Sequence, residues 1–154
     1  MKNRGFSLIE LIVVIAIMAV ALAVGGYALN AISLANAKNC ATEIKTSLEK
    51  TRTLACSTDG NETMRLYRDS TGKVVIEKEG TTKEVGGKSV KVEYRIKDGE
   101  YGPIGSKEQA LKFGFNRSTG GFSDESTVEN LRITSGGKQY ILTCYKLTGK
   151  IKME

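Results

Sequence analysis

Hydrophobic and polar positions divide the chain into three regimes. From Phe6 through Leu29 the residues are apolar almost without a break, and between Phe6 and Ala37 the single charge is Glu10. At about 1.5 Å of rise per residue, a helix over Phe6–Leu29 would extend roughly 36 Å, enough for a hydrocarbon layer about 30 Å thick. From residue 30 the pattern becomes amphipathic. Leu34, Ala37, Ala41, Ile44, Leu48, Thr51 and Ala55 recur at steps of three and four, while Lys38, Lys45, Glu49, Lys50 and Arg52 mostly avoid that stripe. One long helix is predicted: an apolar half over 6–29 and an amphipathic half over 30–56 that lays its stripe against a sheet. Gly25-Gly26 is a weak point inside it, where the helix can kink or approach a neighbour closely. Ser57-Thr58-Asp59-Gly60-Asn61 is the break that ends it.

Beyond Glu62 the period changes to two. Met64–Arg68, Lys73–Glu79 and Ser89–Lys97 read as strands, the last with Val90, Val92, Tyr94 and Ile96 on one face. Asp69–Gly72, Gly80-Thr81-Thr82, Gly86-Gly87 and Asp98–Pro103 read as turns or loops. Leu111–Phe115 is a further short strand, Asn130–Thr134 and Gln139–Lys146 form a hairpin around Ser135-Gly136-Gly137, and a last strand follows Thr148-Gly149. Residues 57–154 are therefore a β-rich globular head. A long helix followed by strands and turns is an α+β arrangement on an antiparallel sheet.

Composition narrows the chemistry. The chain of 154 residues contains no histidine and no tryptophan, which removes Ser-His-Asp and Cys-His catalysis and imidazole metal sites. No Walker A or dinucleotide-binding glycine pattern occurs, and Asp59-Gly60-Asn61 and Asp98-Gly99-Glu100 fit turns better than cation loops. No catalytic residue, metal or cofactor is expected. Three cysteines, Cys40, Cys56 and Cys144, form no CxxC pair. A Cys56–Cys144 disulfide with one free thiol and a set of buried free thiols are both open readings. The net charge is +6, and apart from Lys2, Arg4 and Glu10 every charge lies beyond residue 37. These charges are interspersed, so a solvated surface is the default, with DNA as a partner if the cations gather on one face.

The start of the chain carries the sharpest signal. Lys2 and Arg4 precede Gly5-Phe6, and Glu10 lies inside the apolar run that follows. A charge at the centre of a membrane segment costs about 2.5–3.5 kcal/mol on insertion scales, so it needs a partner or a role. Gly5, Phe6 and Glu10 resemble the class III signal of type IV pilins and pseudopilins. The resemblance implies a leader over residues 1–5, cleavage by a prepilin peptidase after Gly5 and methylation of Phe6. It also implies a pilin-like fold, with the apolar half-helix in the cytoplasmic membrane and the head outside, followed by assembly with other pilin subunits into a filament. In a straight helix Glu10 lies one turn from its own chain's new amine, so a staggered neighbour is expected to supply the amine and Glu10 to set the register. Snorkelling of Glu10 to the headgroups is the plainer alternative. Within the family, the Phe113–Asn116 strand and the closing Leu147–Ile151 segment loosely resemble the H-type pseudopilins and FimT-like minor pilins, structural subunits without enzymatic activity. A competence-type minor pilin with a DNA-binding head is the second reading. An ordinary secretory signal cut after Ala23 is the third, though Glu10 would interrupt its apolar region.

Overall fold

A computed structural model describes residues 7–58, 62–124 and 126–154, with the side chains of 23–34 left aside. The leader and the Gly5-Phe6 junction thus lie outside the described residues, as do Asp59-Gly60-Asn61. Helix α1 runs Leu8–Ser57, through Gly25-Gly26 without a break in helical assignment. The chain divides into two units, Met1–Ile32 and Ser33–Glu154.

In the second unit, the predicted stripe of α1 is the buried one. Ala37, Ala41, Ile44, Leu48, Thr51 and Ala55 are all but inaccessible, and Cys40 joins them. Thr51 tolerates burial because its hydroxyl donates to the Ser47 carbonyl one turn back, at 2.8 Å. Small residues at 37, 40 and 41 let the strands approach closely: a Cβ at Gly86 would stand 3.0 Å from the Cys40 sulfur.

The strands form two antiparallel sheets where the alternation had suggested one. Strands β1 (Thr63–Arg68), β2 (Val74–Lys78), β3 (Thr81–Gly86) and β6 (Leu111–Gly114) make a four-stranded sheet in the order β3-β2-β1-β6. Strands β4 (Lys91–Ile96), β5 (Gly102–Pro103), β7 (Val128–Ser135), β8 (Lys138–Tyr145) and β9 (Lys150–Met153) make a five-stranded sheet in the order β5-β4-β7-β8-β9. One hydrophobic cluster joins the stripe of α1 to Leu66, Val74 and Phe113 of the first sheet and to Val92, Leu131, Ile133 and Leu142 of the second. This is an α+β, pilin-like arrangement with no closed barrel among the described residues.

Two sequence expectations are corrected. Thr81-Thr82 belongs to a strand: the turn is the tight pair Glu79-Gly80, both with positive φ (47° and 78°), and β3 begins at once. It lacks alternation because it is an edge strand, exposed at its first four positions. Ile96 is not buried with Val90 and Val92: it stands at the last position of β4, paired with Val128 past a register shift opposite β7, and is 45 % exposed. The hairpin between β7 and β8 does close through Gly136-Gly137, with φ of 58° and 77°, the values of a type I′ turn.

Close backbone contacts lock the end of the head. A Cβ at Gly149 would stand 1.9 Å from the Gly120 carbonyl oxygen, and Arg52 of α1 donates to that same oxygen at 2.9 Å. A Cβ at Gly137 would meet nothing within 4 Å, although this residue shares a positive φ, of 77°. Gly137→Ala should therefore lose only the left-handed backbone preference, about 1–2 kcal/mol. Gly149→Ala should lose that and about 1–3 kcal/mol more from displaced packing. Denaturation midpoints of the two variants check the ordering; equal shifts would show that the Gly120 contact does not constrain the head.

Candidate functional site

The first turn of α1 is closed by a reciprocal pair of hydrogen bonds. Ser7 stands immediately before Leu8, in the N-cap position, and Glu10 occupies the third helical position. The Glu10 Oε2 atom accepts from the Ser7 backbone N–H at 2.8 Å and from the Ser7 hydroxyl at 2.9 Å. The Ser7 Oγ in turn accepts from the Glu10 backbone N–H at 3.3 Å. This is a capping box, the S-x-x-E pattern that satisfies donors left unpaired at a helix start. Its residues are Ser7-Leu8-Ile9-Glu10, so the pattern was readable in the sequence beside the glutamate's place in the class III signal. The carboxylate folds back one turn onto Ser7, the residue that follows Phe6.

Past this cap the helix is apolar on every side. Leu8, Ile9, Leu11–Ile15, Ile17, Met18, Val20 and Leu22 are each between 47 % and 79 % exposed. No helix among the described residues is long and apolar enough to cross a membrane. The described side chains of the run end at Leu22, and Leu8–Leu22 rises only roughly 22 Å against the about 30 Å of a hydrocarbon core. The apolar sequence continues to Leu29 beyond them. Such a surface needs a cover, whether acyl chains or other helices.

The head's charges are interleaved. Lys83 pairs with Glu43 at 2.7 Å, Lys73 with Glu84 at 2.8 Å and Lys146 with Asp124 at 3.2 Å. Arg65 and Lys107 share Glu77, each at 3.6 Å. On the outer face of the five-stranded sheet Arg132 bonds Glu93 at 2.8 Å and stacks with Arg95 on the Tyr101 ring. The Lys73 ammonium is held above its ordinary pKa by its bond to Glu84, and Asp69 is held below its own by the Lys73 backbone N–H. Pairs of this kind disperse positive potential locally.

Cys40, Cys56 and Cys144 are free thiols. The structure does not form the Cys56–Cys144 pair: Cys144 turns into the core from β8, while Cys56 is exposed at the last turn of α1. Burial pushes the Cys40 and Cys144 thiols up to about 12. A thiol reagent at pH 8 should therefore modify Cys56 alone in the folded chain and all three after unfolding, as read by mass. Cys56→Ser should abolish the folded-state reaction. Because both buried thiols have folded pKa values raised above the ordinary 9.0, their contribution to stability is complete below about pH 9 and falls as pH rises from there. A flat stability profile between pH 9 and 11 would contradict that burial.

Of the residues singled out in the sequence, Glu10 is placed at a defined hydrogen-bonding site, whereas Gly5 and Phe6 lie outside the described residues. Residues 1–26 match the prokaryotic N-terminal methylation motif. No curated protein and no solved structure matches the chain. With the matched segment running from Lys2 and Arg4 through the capped glutamate into the apolar helix, the chain carries a class III methylation signal, the kind that type IV pilins and pseudopilins bear.

Proposed function

We propose that this chain is a structural subunit of a type IV pilus-like filament, a minor pilin or a type II secretion pseudopilin, and not an enzyme. It is made as a prepilin, inserted in the cytoplasmic membrane with Lys2 and Arg4 inside, cut after Gly5 by a prepilin peptidase and methylated on Phe6. The observation that carries this reading is the coincidence of the matched motif with Glu10, an acidic group folded back onto the start of a helix that is otherwise apolar.

The capping box supplies a mechanism. The Phe6 nitrogen is separated from the Ser7 nitrogen by three covalent bonds, so cleavage creates an amine roughly 3 Å from the Ser7 nitrogen. Glu10 already lies 2.8 Å from that nitrogen. Before assembly the new ammonium can therefore be met by its own chain's carboxylate, which lowers the cost of holding either charge near lipid. During assembly a staggered neighbour's amine replaces it, and the exchange of one ion pair for another fixes the stagger. The apolar side chains pass from acyl chains to equivalent helices without entering water, so the transfer requires no new exposure.

The interleaved head charges give the DNA-capture reading no particular support, and the apolar helix continuing past Ala23 weighs against release as a soluble domain.

Intact mass and N-terminal sequencing of the chain from its native membrane fraction should give methylated Phe6. A chain beginning at Val24 would replace the filament reading with a secreted domain. Glu10→Ala should be cut and methylated normally yet lose sheared filament by roughly tenfold or more, the scale of removing one partner of a buried charge pair. Unimpaired filament yield from that variant would remove Glu10 from assembly. Ser7→Ala should retain cleavage while the Glu10 amide exchanges faster with solvent.

A further inference from the structure

The outer face of the five-stranded sheet holds an arginine that the fold leaves unengaged. Arg52 and Arg68 bond backbone carbonyls, Arg65 bonds the Lys107 carbonyl, and Arg132 bonds the Glu93 carboxylate. Arg95, on β4, has neither a carbonyl nor a carboxylate on any of its nitrogens among the described residues. Its Nε is shut off from water without a partner. Glu100 and Glu129, beside Tyr101 and Asn130 in the sequence, do not pair with it. A buried donor left unmatched in this way calls for an explanation, because it has given up water and received nothing in return.

The fold nevertheless holds this guanidinium in place. In the β4–β5 register Tyr94 stands opposite Gly102, so Tyr101 falls beside Arg95 on one side, and Asn130 of β7 stands opposite it on the other. The Arg95 guanidinium carbon lies 5.2 Å from the centre of the Tyr101 ring, and that of Arg132 lies 4.0 Å from the same centre. Two like charges on one ring repel each other, and Glu93 relieves only one of them. It accepts from both the Nε and a terminal nitrogen of Arg132, at 2.9 and 2.8 Å. Asn130 gives its side-chain oxygen to the Thr143 hydroxyl at 3.1 Å, which leaves its amide N–H groups available beside Arg95.

The charge balance selects the guest. Two guanidinium groups and one carboxylate leave a single positive charge, which a second carboxylate neutralises; a dianionic phosphate would leave negative charge unmet. The planar guanidinium fork also meets both oxygens of a carboxylate side by side. An open sheet face does not enclose a free small molecule, and an ion pair exposed to water contributes little. The same carboxylate carried on a protein surface brings neighbouring atoms that cover the pair, and Tyr and Arg are the residue types enriched where proteins bind one another.

We propose that the outer face of β4 and β7 docks a different protein through an Asp or Glu side chain seated on Arg95, with Tyr101 and Arg132 as the platform beneath it. Glu93 fills the equivalent place on Arg132 from within the chain, so the partner completes a pair of which one half is already satisfied. This inference goes beyond the filament reading and does not rest on it.

The test uses the full chain in detergent micelles with isotope-labelled arginine side chains, and the capped peptide acetyl-tetraglutamate amide as probe. At fixed ionic strength the Arg95 Nε–H resonance should shift saturably with the peptide, while acetyl-tetraglutamine amide leaves it in place. Arg95→Lys keeps the charge and removes the fork. It should weaken the peptide, followed through the Asn130 backbone amide, by roughly tenfold. Lys91→Gln, exposed on the same strand, should weaken it by less than about twofold. A shift that does not saturate, an equal loss in the two variants, or tighter binding of inorganic phosphate than of the peptide would each overturn the site. Oligomers of the unliganded chain that vanish in Arg95→Lys would assign the carboxylate to a second copy and overturn the partner.

Discussion

The head depends on a single stripe of α1 being kept from water. The two sheets share no strand ladder, and only scattered backbone bonds such as Arg68 N–H to the Gly105 carbonyl and Phe122 N–H to the Lys146 carbonyl cross between their ends. What unites them chiefly is the narrow apolar face that Ala37, Cys40, Ala41, Ile44 and Leu48 present to a core that both sheets complete. Small side chains along its first turns set how near the strands can come, and Gly86 beneath Cys40 shows that the limit has been reached. Arg52, bonded to the Gly120 carbonyl, fastens the far end of the same helix to the loops that close the head. The burial of this stripe is non-directional, but these contacts fix its register.

The other end of α1 obeys a different rule. There the side chains face outward on every side, and what is satisfied internally is the backbone. Ser7 and Glu10 occupy each other's donors and acceptors, so the helix can start without water at its first turn. One carboxylate therefore serves first as a helix cap and, in the proposed assembly, as a counter-ion. The same sequence position would answer two demands because the group that a cap must reach and the amine that the proposed cleavage would create are neighbours along the chain.

Much of this was legible in the residues. The steps of three and four from Ala37 to Ala55 reveal the buried stripe, since helical period is a local property. Gly136-Gly137 identified its hairpin, and the capping box was written in Ser7-Leu8-Ile9-Glu10. Pairing was not legible. Which strands join which sheet is decided by contacts distant in sequence, and alternation says only that each strand has two faces. Strand β3 escaped because an exposed edge has no inward face to mark with apolar residues. The exposure of Ile96 escaped because it stands at the end of its strand, where the alternation continues but the cover does not. The cysteines misled for a related reason: spacing shows that a disulfide is conceivable, but only the fold shows that Cys144 points inward.

The edge strands carry one more consequence. Strand β3 has Lys83 at its middle, and β9 bears Lys150 and Lys152 on its four residues. Heads carried on closely spaced helices would meet at local concentrations where unpaired strand edges ordinarily fuse into continuous sheets. A lysine on an edge forces any such fusion to bury a charge, and Lys83 is further tied to Glu43 on its own helix. Crowding can then proceed through side-chain surfaces while the backbone edges stay apart. Such an assembly would grow by ordered addition and come apart again, without hardening into cross-β material.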